Sequence, residues 1–97
     1  MEDDRSPKSI GMRLKAIRLA NKFEEQRPFA DTIGAKYSAY SSWETGVQRP
    51  GLTAAFRLID KYGITLDFLY RGHLWTLHED VKGPIVLKLR ELRKTNI

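Results

Sequence analysis

The 97 residues predict an all-α chain: a compact five-helix domain with an extra C-terminal helix. Three observations predict it. Apolar residues recur at three- and four-residue intervals in most segments; Val86-Leu87-Lys88-Leu89 is the one weak hint of alternation. Glycines at 34, 46, 63 and 72 punctuate the chain at distances that suit short helices. Hydrophobic residues make up 41%, enough for one modest core and not for two domains.

The elements follow in order. Residues 1–8 are polar and charged and read as a disordered N-terminal arm. Ser9 is the expected cap of a helix that begins at Ile10 and continues through Leu14 and Ile17 to about Asn21. A short link through Phe23 leads to Glu24 and Glu25, which favour a helix start. Pro28 is tolerated only in a first turn, so helix two spans about Gln26 to Ile33, and Gly34 stops it. Helix three is expected from Tyr37 to Thr45, ending at Gly46. After an Arg49-Pro50-Gly51 turn, helix four covers Leu52 to Tyr62. Thr65 caps a short helix five that reaches about Tyr70 and closes at Gly72. His73 to Lys82 has no clear period and reads as a connector.

Pro84 suits a first helical position, so helix six is expected from Pro84 to about Lys94. Ile85, Leu89 and Leu92 share one stripe, with Val86 beside them. A five-helix core has little need of that stripe. It packs either on its own domain or on a second copy, and the second reading makes these four residues dimerisation candidates. The expected organisation is therefore an arm over 1–8, a domain over 9–72, and a connector with C-terminal helix over 73–97.

Composition excludes several classes. The chain has no cysteine, hence no disulfide framework or cysteine metal site. His73, His78, Glu79 and Asp80 are ligand types, but the connector sets no geometry for them, so no metal is expected. A nucleophile–base–orienter set and a glycine-rich phosphate loop are both missing, so neither an enzyme nor a cofactor is expected. No apolar run approaches the ~20 residues of a membrane span. Met1-Glu2-Asp3-Asp4 lacks the apolar segment of a signal peptide, and the expected location is the cytoplasm. The net charge of +5, from 17 basic and 12 acidic residues, leans toward a polyanionic partner.

The informative stretch is Phe29-Ala30-Asp31-Thr32-Ile33-Gly34 followed by Tyr37-Ser38-Ala39-Tyr40-Ser41-Ser42-Trp43-Glu44-Thr45-Gly46. Ala30 is small where two helices cross, Gly34 turns the chain, and Tyr40 and Trp43, three apart, both face inward. That crossing presents helix three outward as a probe for the DNA major groove.

Over Ile10 to Gly72 the chain resembles the Cro/cI-type helix-turn-helix family, the lambda-repressor-like DNA-binding domains. Arg13-Leu14 and Ile17-Arg18 resemble its first helix. Gln26, Phe29-Ala30 and Ile33-Gly34 resemble its second helix and turn. Trp43-Glu44-Thr45-Gly46 with Arg49-Pro50, and Ile64-Thr65-Leu66-Asp67-Phe68-Leu69, resemble its later segments.

The resemblance implies a homodimer that binds double-stranded DNA at an inverted repeat and represses transcription. It also implies a salt bridge between Arg18 and Glu44. By the docking geometry of such domains, Tyr37, Ser38, Ser41 and Ser42 are the base-edge candidates, and Gln26, Lys36, Thr45 and Arg49 the phosphate candidates. This sequence departs from the pattern in three ways. The recognition surface carries no Arg, Gln or Asn; Glu24 and Glu25 stand where phosphate would approach; and Lys36 replaces a small capping hydroxyl. A protein-interaction module, or an antitoxin-type autoregulator with weak DNA binding, is the alternative function.

Overall fold

In the computed structural model, residues 4–95 are described, and among them every regular element is helical. The order is α1 (Pro7–Ala20), α2 (Gln26–Thr32), α3 (Tyr37–Glu44), α4 (Leu52–Tyr62), α5 (Leu66–Arg71), a 3-10 turn (Leu74–Thr76) and α6 (Glu79–Thr95). The fold is the all-α set of five helices plus a C-terminal helix that the sequence predicts.

Two boundaries differ from expectation by more than one residue. Helix α1 is capped by Ser6, whose side chain accepts from the Ser9 amide at 3.1 Å, with Pro7 in the first helical position. Proline there gives up no bond, since that amide has no partner inside a helix, and its φ is already helical. Pro7 and Lys8, assigned to a disordered arm, are thus helical; residues 1–3 of that arm lie outside the described residues.

The second correction concerns α6. It begins at Glu79, so Pro84 is inside the helix rather than at its start. The bond that proline removes would go to Asp80, an exposed first-turn residue, where its loss is least costly. Packing compensates: Val81 lies against the core one turn before Ile85 and extends the same stripe backward. Lys82 and Glu79 pair at 3.1 Å across the first turn.

Helix α1 runs through the centre, with Ile10, Leu14, Ala16 and Ile17 essentially inaccessible. It packs against α3, α5 and α6. Phe29 and Ala30 from α2 meet Tyr40 from α3, with the Phe29 and Tyr40 rings edge to face at 5.5 Å; Phe29 also stacks on Tyr62 at 5.0 Å. Aromatic pairs at these separations add a little to their area burial.

The C-terminal stripe is part of this same core. Ile85 is 1% and Leu89 3% exposed, and Leu92 packs at the margin. Of the two expectations for this stripe, the burial of Ile85 and Leu89 accords with packing on its own domain, while Val86 and Leu92 stay half-buried. Helix α6 packs on α1, and a helix of the same chain covers that surface at no cost in association entropy.

Arg13, 5% exposed, ties α1 to α5 by donating to the Leu69 carbonyl at 2.9 Å, and it also bonds the Asp4 carbonyl. Burial pulls its guanidinium below the ordinary arginine value; Asp4 opposes that and Arg93 adds to it.

Candidate nucleic-acid interface

The turn between α2 and α3 is built by Gly34, at φ +65°, a conformation that L side chains rarely adopt. The Ala35 amide then donates back to the Ala30 carbonyl at 3.0 Å, which locks the two helices at the turn. Ala30 itself is fully buried under the crossing.

A buried polar clamp fixes the angle of α3. Arg18 Nε donates to Glu44 Oε2 at 2.8 Å, with both side chains about 95% buried, at 5% and 4% exposure. Arg18 Nη1 also donates to the carbonyls of Phe23 and Glu24, at 3.0 and 2.7 Å. One guanidinium thus joins α1, the link into α2, and the end of α3. Burial opposes its charge, but the Glu44 carboxylate outweighs burial, and the Arg18 pKa is raised.

Glu44 receives two more donors, the Tyr40 hydroxyl and Gln26 Nε2, the latter at 3.0 Å. Burial first, and the adjacent carboxylate second, hold the Tyr40 phenol protonated well above its ordinary range. Such a satisfied network specifies geometry more surely than it adds net stability.

Around this clamp the candidate contacts are displayed unevenly. Tyr37, 42% exposed, and Ser38 open the first turn of α3 and face solvent. Ser41 and Ser42 are half-buried, and Ser42 Oγ donates to the Ala39 carbonyl at 2.7 Å. Thr45 is exposed, with its hydroxyl turned back on the Ser41 carbonyl at 3.0 Å. Lys36 is exposed immediately before α3. Arg49 is exposed and donates through Nε and Nη2 to the Arg5 carbonyl, at 3.2 and 2.8 Å, so the segment before α1 lies beside the loop that follows α3. Gln26 is half-buried, its amide group engaged with Glu44. Glu24 and Glu25 are exposed before α2.

One residue of this surface was missed in the sequence. Arg27, the second residue of α2, places its Cζ 4.3 Å from the centroid of the Tyr37 ring. The two residues are ten apart in sequence and belong to different helices; only the crossing brings them together. The recognition surface therefore does carry an arginine, contributed by α2 rather than α3.

A cleft of about 750 Å³ lies elsewhere, between α1 and the end of α6; Lys8, Lys15, Arg93, Met12, Leu89 and Leu92 are among its lining residues. Among the described residues no helix is long and apolar enough to cross a membrane.

Comparison with known proteins places this geometry among others. A helix-turn-helix family model matches residues 14–69. The SPbeta prophage-derived uncharacterized HTH-type transcriptional regulator YonR of Bacillus subtilis (strain 168) is 34% identical over 63 residues, covering 65% of this chain and 57% of that protein. The chain thus spans little more than half the length of that relative. No solved structure matches it.

Proposed function

This chain belongs to the Cro/cI-type helix-turn-helix family, and from that premise we propose that it binds double-stranded DNA and regulates transcription. The observation that carries the reading is the Arg18–Glu44 clamp. A buried ion pair at 2.8 Å that fixes the end of α3 against α1 leaves the opposite end of α3, with Tyr37 and Ser38, presented to solvent. A helix held at one end and displayed at the other suits insertion into a major groove. The net charge of +5 favours encounter with a polyanion. The name of the similar Bacillus subtilis protein, a transcriptional regulator, agrees with this reading.

In the proposed complex Tyr37 and Ser38 meet base edges first, and Ser41 and Ser42 follow one turn later. Lys36 and Arg49 flank the groove and meet phosphates, with Thr45 and Gln26 adding neutral contacts. We further propose action as a repressor on an inverted repeat in the cytoplasm. One domain of this size reads only a few base pairs, and two copies about one DNA turn, roughly 34–36 Å, apart double the site. In this reading the two copies meet through surface other than the buried Ile85 and Leu89.

Selection of bound duplexes from a random pool tests the reading. Enrichment of a two-fold symmetric site is expected, and no enrichment over a non-binding control would overturn it. Replacing Lys36 and Arg49 together by Ala should weaken binding to every duplex and lower the salt slope by about two units, one per lost ionic contact. An unchanged slope removes both residues from the proposed interface.

A further inference from the structure

We propose that Arg27, held over the Tyr37 ring, reads a guanine in the recognised half-site. This inference rests on the DNA-binding reading above and names a contact within it. The starting point is what α3 lacks. It offers the exposed Tyr37 ring and Ser38 hydroxyl and the half-buried Ser41 and Ser42, of which Ser42 is turned back on the Ala39 carbonyl. A hydroxyl makes a single contact and serves several bases almost equally, whereas base discrimination comes best from a bidentate donor or acceptor pair. Helix α3 has none.

Arg27 supplies the missing donor pair from the neighbouring helix. It is exposed, and its Cζ lies 4.3 Å from the centre of the Tyr37 ring. Among the described residues no carboxylate forms an ion pair with it. A ring contact restrains the position of the guanidinium without using its N–H groups as conventional donors. The rigid pair of parallel N–H donors matches the O6 and N7 acceptors of guanine, and prior restraint lowers the side-chain entropy lost on binding.

The location also selects base over phosphate. Tyr37 is the first residue of α3, the end presented to the groove, so a guanidinium over its ring is carried to the same place. Lys36 and Arg49 stand at the edges of that surface, where phosphates run.

The test compares selections from one random duplex pool by the wild-type protein, Arg27→Lys, Arg27→Ala, Tyr37→Ala and Tyr37→Phe. Each half-site selected by the wild type should contain one invariant guanine. Replacing it by adenine should weaken wild-type binding roughly ten- to a hundredfold. Arg27→Lys retains the charge but loses the paired donors, and should reduce that penalty to less than about threefold while the other positions stay selective. Tyr37→Ala removes the support and should lose the same guanine, whereas Tyr37→Phe retains the ring and should keep it.

Persistence of every selected position in Arg27→Lys would overturn the assignment. So would Arg27→Ala weakening all duplexes equally with a salt slope lower by about one, the signature of a phosphate contact. A wild-type protein that enriches no duplex overturns the DNA reading itself, and this inference with it.

Discussion

The backbone of Gly11, in the middle of α1, runs directly against the carbonyls at the end of α3: a Cβ on Gly11 would lie 2.5 Å from the Trp43 oxygen and nearer still to that of Glu44. Both neighbours are backbone atoms of a helix terminus, so neither can swing aside. The close approach is what brings Arg18, two turns further along α1, within reach of the Glu44 carboxylate.

Gly11→Ala should therefore destabilise the protein, although alanine is the better helix former by about 1 kcal/mol. Overpacking at a site that cannot relax costs about 1–3 kcal/mol, occasionally more. A loss of that order corresponds to roughly 4–8 °C of melting temperature per kcal/mol in a domain of this size. A thermal melt of the variant at or above the wild-type value would show that α1 and α3 do not approach so closely.

Removing Glu44 and removing one of its donors should differ sharply. Glu44→Ala leaves the Arg18 guanidinium, 5% exposed, without its carboxylate, which should cost about 3–5 kcal/mol. Tyr40→Phe removes one donor from a carboxylate that keeps two others, and should cost about 1–2 kcal/mol. Urea unfolding of both variants decides this; equal losses would mean that the ion pair contributes no more than the phenol.

Stability should fall in alkali. The folded Tyr40 holds its proton above its ordinary value of 10.0, through burial and then through Glu44, so above that pH the unfolded chain has lost a proton that the folded chain retains. With fewer protons bound in the unfolded state, stability decreases as pH rises, and it is fully present below pH 10. The loss for one such group approaches about 1.4 kcal/mol per pH unit. Tyr70, raised by burial, adds in the same direction. Denaturant midpoints of the wild type and Tyr40→Phe at pH ~9 and ~11 should converge as pH rises, since phenylalanine lacks the group. Parallel profiles would contradict the role given to Tyr40.

Two neighbours on α6 should respond in opposite ways. Ile85→Ala opens a cavity at a residue 1% exposed and should cost about 2–5 kcal/mol. Leu87→Ala, at a residue 58% exposed, should stay within about 0.5 kcal/mol of wild type. Melting curves of the two variants read this directly. A tolerant Ile85 would mean that α6 does not belong to the core in solution.

How much was legible in the sequence varies from place to place for physical reasons. Helix α4 was read to the residue because Leu52–Tyr62 lies between Gly51 and Gly63 and has a strong apolar period, signals local to the segment. The crossing of α2 and α3 was legible in Ala30, Gly34, Tyr40 and Trp43, whose sizes and spacing leave few other arrangements. The start of α6 was misread because Gly83-Pro84 is a strong local boundary signal, and only burial of Val81 and Leu77 against the core extends order beyond it. The start of α1 was placed at Ser9 and Ile10 because the apolar period begins at Ile10, whereas the cap is Ser6, with Pro7 in the first turn.

The sequence by itself determined the helical class, the order of the helices and the family, because period, caps and turns act over a few residues. Only the tertiary structure decided where α6 packs, why Gly11 must lack a side chain, and that Arg27 lies over Tyr37. Each of those depends on atoms far apart in the chain, and no local pattern records a distance between two helices.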